Sequence, residues 1–407
     1  MGVRRLFLLI VALPHLAFAA ATLQEVEARA VALKAKGDAA GALSAYQEAA
    51  ALDPKSARFQ DEIGFLLAVL NRRPEALPHF ERAIALDPRY APPHFHLGVA
   101  LWLDQDQLRG LPELQQAVTL DPGNPSYRSK LGQALEATGH HQDAIPHLRA
   151  ATAAQPKDAM SWGNLGAALQ KTGDLAGAVE AFRHQVDLDP SNLDARNSLG
   201  LALVNTRRAD EGIAQFQKVL AASPTNNVAG FNLGFAYLQK AELDRAIAAF
   251  RELLARDPEN AAAHYNLGVA LKNKDEIPAA KAELSRALEI DPQLAEAHYM
   301  IGIACWQSGE FECAVTEMRA AVALRPDYAQ AHFMLGTALK QSGQLAPAEE
   351  SLRTAIRLDP SDPGPYNTLA QILRQKGDLE ESKRLFAEGA RVKQAKEAAL
   401  GTMLDRK

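Results

Sequence analysis

Apolar and small side chains recur along this chain with a single period of 34 residues. Counted from Leu23, position 7 of the period is Leu or Ile in ten of eleven units, position 8 is Gly in nine, and position 24 is always Tyr, Phe, Leu or Met. Within each unit the apolar positions form two runs with helical spacing. The pattern predicts two helices per unit, repeated through residues 23–396.

Proline and glycine mark the boundaries of these predicted helices. Ten prolines at position 32, from Pro54 to Pro360, lie 34 residues apart, and seven of them follow an Asp. Proline cannot continue a helix, so it ends the second helix, and the Asp before it is expected as a turn residue. Six units carry a glycine between the two runs, where a left-handed conformation would end the first helix. These are Gly37, Gly139, Gly173, Gly309, Gly343 and Gly377.

Small residues at two positions indicate that the two helices of a unit pack closely. Position 8 is Gly nine times, and position 20 is Ala in eight units, Gly in two and Ser in one. We expect an antiparallel pair in which the large residue at position 24 fills the space beside the small ones. Units two to four also carry Pro78, Pro112 and Pro146 inside the second helix, which predicts a local bend there.

These positions match a known repeat motif. The unit at 159–192 carries Trp162-x2-Leu165-Gly166, Ala178-x3-Phe182 and Pro190, and the unit at 227–260 carries Leu233-Gly234-x2-Tyr237, Ala246-x3-Phe250 and Pro258. The chain therefore resembles tetratricopeptide-repeat proteins over residues 23–396. The resemblance implies an all-α, right-handed superhelical solenoid of antiparallel helix pairs whose first helices line a concave groove. Its motifs are specific for the fold and say little about the partner.

The two ends of the repeat array depart from the motif. Unit one has Arg29 and Ala30 where Leu-Gly is usual, and in unit eleven Ser382 stands at position 20 and Gln394 replaces the proline. Terminal repeats are expected to be atypical because one face has no neighbour. We expect eleven units, from 23–56 to 363–396, followed by a polar tail at 397–407, with the segment from residue 392 onward covering the last face.

The first residues have the composition of a secretory signal peptide. Arg4 and Arg5 precede an apolar run, and Ala17-Phe18-Ala19 forms a small-residue cleavage pattern. We expect cleavage after residue 19, with residues 20 and 21 as alternatives, and the net charge would change from −5 to −7 because two arginines are lost. The alternative is an uncut membrane anchor, for which the apolar run is short. The sequence thus predicts an exported protein, periplasmic or secreted, with no membrane span after cleavage.

Charge and candidate ligands exclude several functions. A net charge of −5 gives no basic excess for nucleic acid, and two cysteines cannot build a zinc or iron–sulfur framework. Position 4 of three successive units is a histidine: His264, His298 and His332. These side chains are one repeat apart, which is too far for them to bind one metal ion together. The histidines from His94 to His147 are scattered and are not expected to form a metal site either. We expect no metal, no cofactor and no catalytic residue.

The two cysteines lie eight residues apart, one on each helix of unit nine. Cys305 is at position 11 and Cys313 at position 19. The pattern favours two reduced, buried side chains that act as small hydrophobes. A disulfide across this helical hairpin is the alternative, since exported proteins can keep one.

Candidate binding residues follow from the positions that line the groove in the family. An aromatic row at position 5, large apolar residues at positions 9 and 12, and amides and cations at positions 6, 12 and 13 would suit an extended peptide. The candidates are Phe231, Tyr265, Tyr299, Phe333, Phe235, Trp102, Trp306, Asn232, Asn266, Lys272, Lys340 and Arg374. The same residues are also common in the family as packing groups between units.

The sequence therefore predicts a non-enzymatic, exported scaffold that binds segments of other proteins or peptides in its groove. A self-assembling structural element of an envelope complex is the alternative. An enzyme is disfavoured because no insertion interrupts the repeats to supply an active site. The identity of the partner does not follow from the residues.

Overall fold

The computed structural model describes residues 22–404, so the predicted signal peptide at 1–19 lies outside the described residues. The described chain is all α-helical and falls into two compact units, one ending at Leu188 and one beginning at Asp189. The first unit contains α1 (Leu23–Ala35), α2 (Ala39–Leu52), α3 (Ala57–Val69), α4 (Arg73–Leu86), α5 (Ala91–Leu103), α6 (Gln107–Leu120), α7 (Pro125–Ala137), α8 (His141–Ala154), α9 (Ala159–Lys171) and α10 (Leu175–Leu188). The second contains α11 (Leu193–Asn205), α12 (Ala209–Ala222), α13 (Asn227–Gln239), α14 (Leu243–Arg256), α15 (Ala261–Asn273), α16 (Ile277–Ile290), α17 (Ala295–Gln307), α18 (Phe311–Leu324), α19 (Ala329–Gln341), α20 (Leu345–Leu358), α21 (Pro363–Lys376) and α22 (Leu379–Leu404).

Two helices form in every 34-residue unit, as the sequence predicts. Each odd-numbered helix packs on the even-numbered helix after it, and within each compact unit that helix packs on the next odd-numbered one. The helices of a pair are antiparallel, because position 4 lies beside position 23 in His94 and Glu113, while position 11 lies beside position 19 in Cys305 and Cys313. The prediction of an all-α solenoid of helix pairs is confirmed.

The glycine at position 8 lets the two helices of a pair touch. A Cβ at Gly166 would lie 2.7 Å from the ring of Phe182 at position 24, and a Cβ at Gly200 would lie 2.5 Å from that of Phe216. Both rings are buried. The same position-8 to position-24 contact occurs in nine units, so the prediction that the large side chain fills the space beside the small ones is confirmed.

The turn between the paired helices has a left-handed residue at position 15 in all eleven units. The six glycines predicted there have φ between +76° and +88°. The other five units place a residue with a side chain in the same conformation, although it is disfavoured for such residues. These residues are Asn71, Gln105, Arg207, Ala241 and Asp275.

The turn between successive units is closed by side chains. In seven units the position-4 side chain hydrogen-bonds the carbonyl of the position-32 proline six residues before it, as Trp162 does by donating to Pro156 at 3.0 Å. The Asp before the proline accepts a backbone N–H two residues later, as Asp87 does from Arg89 at 3.0 Å. Both bonds satisfy backbone groups that proline and the helix end would leave unpaired.

The last helix extends beyond the predicted repeat boundary. α22 contains 26 residues and ends at Leu404, so the boundary drawn at residue 396 lies inside one continuous helix. Prolines 78, 112 and 146 lie inside α4, α6 and α8, as predicted.

Candidate partner-binding surface

The aromatic row at position 5 lies on four successive first helices. Phe231 is on α13, Tyr265 on α15, Tyr299 on α17 and Phe333 on α19, and all four side chains are half-buried. Each also packs against the core of its compact unit. The row therefore combines packing between repeats with a partly exposed aromatic surface.

Two of these rings have identifiable packing partners. Phe231 meets Phe250 edge-on at a centroid distance of 5.9 Å, and a Cβ at Gly364 would lie 2.8 Å from the ring of Phe333. Gly364 is on α21, so Phe333 reaches the first helix of the next repeat. Truncating Phe231 would affect the helix pair of its own repeat, and truncating Phe333 would affect stacking on the next repeat, in addition to any contact with a partner.

A cluster of phenols surrounds Tyr299. Its ring lies 5.0 Å from that of Tyr328, and the guanidinium of Arg325 lies 4.5 Å over the Tyr328 ring while it pairs with Glu296. Burial, followed by the neighbouring phenols, raises the pKa of Tyr328 to about 12. Burial also raises the pKa of Tyr265 and of Tyr299. The three phenols therefore stay neutral at physiological pH and can donate hydrogen bonds.

The predicted amides and cations have mixed environments. Asn232 is buried, whereas the amide nitrogen of Asn266 donates to the Ala262 carbonyl at 2.8 Å. Lys272 is half-buried, and Lys340 donates to the amide oxygen of Gln371. Arg374 is exposed and lies 5.9 Å over the Phe386 ring.

The large side chains at positions 9 and 12 are half-buried. Trp102 is on α5, Phe235 on α13 and Trp306 on α17. The indole nitrogen of Trp306 is buried and has no hydrogen-bond partner. Phe235 packs beside Phe231 against the same core.

Cys305 and Cys313 form a disulfide. Their Cα atoms are 5.8 Å apart, and the bond joins α17 to α18. The sequence pattern favours reduced cysteines, and that prediction is wrong for this structure because positions 11 and 19 face each other across the antiparallel pair. The sulfurs lie close to the exposed Glu310 carboxylate.

The histidines take separate partners. The Nδ1 atoms of His264 and His298 lie 2.6 and 2.7 Å from Glu283 and Glu317 on the paired helix, and His332 bonds the carbonyl of a position-32 proline. His94 uses both ring nitrogens, toward Glu113 and the Pro88 carbonyl. These contacts hold helix pairs and turns together.

One surface was not singled out by the sequence. First helices α3, α5 and α7, together with Arg73 and Phe80 of α4, line an apolar pocket of about 380 Å³ that includes Phe65, Phe95 and His96. The Nδ1 atom of His96 lies 2.8 Å from the carboxylate of Asp61, which is almost fully buried. Asp61 and His96 are 35 residues apart, so neighbouring positions of successive repeats meet here. An aspartate and a histidine at this spacing in the sequence could have indicated the contact.

None of the helices within residues 22–404 is long and apolar enough to cross a membrane.

Antiparallel pairs of helices, repeated every 34 residues and stacked on their neighbours in sequence, define a helical repeat protein. The family model described as "Tetratricopeptide repeat" matches residues 62–125, 129–192, 168–227 and 299–363, and two further models of that description match 237–303 and 364–396. The chain belongs to the tetratricopeptide repeat family, whose stacked repeats act as scaffolds for protein interaction.

Two solved structures with TM-scores above 0.5 have the same fold. A tetratricopeptide repeat protein from Parabacteroides merdae is 14% identical, with 61% of this chain and 98% of that chain covered and a TM-score of 0.52. The APC/C hetero-tetramer Cut9–Hcn1 is 13% identical over 86% of this chain and 76% of that chain, with a TM-score of 0.51. MamA is 25% identical over 41% of this chain and 97% of that chain, with a TM-score of 0.39. No curated protein matches the sequence.

Proposed function

We propose that this protein is a non-enzymatic, exported scaffold that binds segments of partner proteins along its first helices. The observation that carries the proposal is the row of half-buried aromatic side chains at position 5 of four successive repeats, from Phe231 to Phe333. Rings of this kind are favoured anchors in protein interfaces, and the amides and cations beside them can bind a peptide backbone and carboxylates.

The cluster around Tyr299 supports a peptide as the ligand. Tyr265, Tyr299 and Tyr328 carry neutral phenols that can donate hydrogen bonds, and a peptide carbonyl is a suitable acceptor for them. The half-buried indole of Trp306 lies on the same helix as Tyr299. A partner segment laid along α15, α17 and α19 would meet both apolar rings and hydrogen-bond donors.

Crosslinking mass spectrometry in the native cell would identify the partner, and purified variants would then test the surface. We expect the double change Tyr299→Ala and Trp306→Ala to weaken binding by about 10-fold or more, because buried aromatic anchors commonly dominate such interfaces. Leu188→Ala with Leu358→Ala is the matched control, since these exposed side chains lie on second helices.

Unchanged partner affinity in the Tyr299 and Trp306 variant, with the fold intact by circular dichroism, would show that this surface is not the binding site. Light scattering of the purified protein gives a second check. A monomer at all concentrations is expected for a scaffold, whereas growth with concentration would indicate self-assembly.

Export is supported by the first residues and by the cysteines. Arg4 and Arg5, the apolar run and Ala17-Phe18-Ala19 have the order of a signal peptide. A disulfide between Cys305 and Cys313 is consistent with an oxidising compartment. We expect the mature protein, recovered from fractionated cells, to begin after residue 19 when its intact mass is measured. A full-length mass in the cytosolic fraction would contradict export.

A further inference from the structure

A second surface, in the first compact unit, has the features of a binding pocket. The pocket of about 380 Å³ is open to solvent and lies across α3, α5 and α7. Its lining is mostly apolar, and Val69 and Leu103 at its edge are 58% and 56% exposed. Apolar side chains grouped in this way expose surface that a bound group would cover.

Lys130 lines the same pocket without a carboxylate partner. Its Nζ atom donates to the side-chain oxygen of Gln133 at 2.9 Å, which is a neutral acceptor on the same helix. Burial lowers the pKa of the Lys130 ammonium, and no neighbouring carboxylate among the described residues offsets that effect. A half-buried ammonium in an apolar pocket is stabilised when an anion binds beside it.

Other cations close to the pocket already have carboxylate partners. Arg73 lies 3.0 Å from Asp104. Lys34 pairs with Glu62 at 2.5 Å and lies over the ring of Phe65 at 4.5 Å. Lys130 therefore differs from its neighbours: its hydrogen bond is to a neutral amide, whereas the nearby Asp61 carboxylate already accepts a hydrogen bond from His96.

His96 gives the pocket a fixed polar group. Its ring lies 5.2, 5.6 and 5.8 Å from the rings of Phe65, Phe80 and Phe95. Because the Asp61 carboxylate accepts a hydrogen bond from Nδ1–H at 2.8 Å, the neutral ring carries its lone pair on Nε2. Nε2 has no partner within the described part of the chain, so it can accept a backbone N–H from a bound segment.

We propose that this pocket receives a segment of a partner protein in which a bulky apolar side chain lies next to a carboxylate. The apolar side chain enters between Phe65, Phe95 and Val99, the carboxylate pairs with Lys130, and a backbone N–H donates to His96. The inference rests on the proposed scaffold function and adds a second site with its own ligand chemistry. The need for a backbone donor favours a peptide over a fatty acid.

The test uses the full chain and a displayed library of random 12-residue peptides. Selected peptides are expected to carry Phe, Leu, Ile, Met or Trp within two residues of Asp or Glu. A fluorescent copy of one such peptide and its Glu→Gln or Asp→Asn version are then titrated against the protein. We expect the acidic peptide to bind about 10-fold tighter, the range of a charge-assisted contact.

Lys130→Gln should remove most of the difference in affinity between the two peptides, and Lys130→Glu should make the neutral peptide the tighter binder. Lys55→Gln, an exposed lysine in an inter-repeat turn, makes the same change of charge outside the pocket and should leave the difference intact. Octanoate at millimolar concentration should not displace the peptide. Thermal unfolding of each variant checks that the fold is retained.

The outcomes separate the two proposals. The pocket proposal is wrong if the affinities of the acidic and neutral peptides differ by the same factor in wild type and in Lys130→Gln. It is also wrong if octanoate displaces the peptide. The scaffold proposal then stands if the selected peptides lose affinity in the Tyr299 and Trp306 variant. A library that yields no enriched peptide also overturns the pocket proposal. The scaffold proposal is then wrong as well only if the native partner binds the Tyr299 and Trp306 variant with unchanged affinity.

Discussion

Buried polar side chains of the first helices differ in whether they find partners. Ser161 is fully buried and shares hydrogen bonds with Asp158 and Ser129. His94 is 6% exposed and uses both ring nitrogens. Asn197 is 5% exposed, yet neither its amide oxygen nor its amide nitrogen has a hydrogen-bond partner. An unpaired buried amide opposes folding, so Asn197 marks a weak point of the second compact unit.

Replacing Asn197 by Leu should stabilise the protein. The change removes two unsatisfied polar atoms at a site where other repeats carry aromatic side chains, such as Phe231 and Tyr265. We expect a gain of about 1–3 kcal/mol in the free energy of unfolding, measured with urea. Asn266→Leu is the control, because that side chain is half-buried and already bonded, and little or no gain is expected. A loss of stability in Asn197→Leu would mean that the amide has a partner in solution.

Helix pairs are held at contact distance by the small residue at position 8. In α9 two glycines differ in what a Cβ would meet: at Gly166 it would lie 2.7 Å from the buried ring of Phe182, whereas at Gly163 it would meet only the flexible end of the Gln185 side chain. The ring belongs to the tightly packed interior, and the amide can move into solvent. The same substitution should therefore have opposite effects at the two sites.

Gly166→Ala should destabilise the protein by about 1–3 kcal/mol, because the added methyl group forces the helices of the pair apart or the ring out of its place. Gly163→Ala should be neutral or stabilising by up to about 1 kcal/mol, because alanine favours the helix over glycine. Urea unfolding of both variants measures the two effects. Equal losses of stability at both sites would show that glycine is needed in α9 for a reason other than the contact with Phe182.

The helix pair also shows where sequence reasoning stops. The six turn glycines were predictable because glycine readily adopts positive φ. Arg207 and Ala241 adopt the same conformation with φ of +63° and +57°, which their side chains disfavour and which the residue types alone therefore do not predict. The contact of Asp61 with His96 depends likewise on how successive first helices face each other. The aromatic row at position 5 could be located on its helices and a packing role anticipated, but the individual partners, such as Phe250 beside Phe231, came only from the contacts.

At the scale of the whole chain, contacts connect neighbours in sequence. Within each compact unit a helix packs on the helices just before and after it, with weaker contacts between successive first helices. Such an array gains and loses repeats without changing the environment of distant ones. Because contacts are confined to neighbouring repeats, the fold could be predicted from one 34-residue period. For the same reason, the removal of a whole repeat should be tolerated.

Deleting residues 227–260 should leave a folded protein. The deletion removes α13 and α14 and joins Asn226 to Ala261, so Asn226 can cap α15 as Asn260 does now. His264 would then lie six residues after Pro224, the spacing at which it now bonds the carbonyl of Pro258. Helical content per residue should be unchanged by circular dichroism, and the urea m-value should fall by about a tenth because one repeat of surface is lost.

Deleting residues 227–243 is the matched control, because it removes one helix and leaves α14 without its antiparallel partner. The apolar face of α14, which includes the buried Phe250 and Leu253, would then have no first helix of its own repeat to cover it. We expect this shorter deletion to cost more helical signal than the deletion of twice its length, and to aggregate. If the 34-residue deletion were the more damaging one, the repeats would not be exchangeable units, and binding surfaces on separate repeats could not be varied independently.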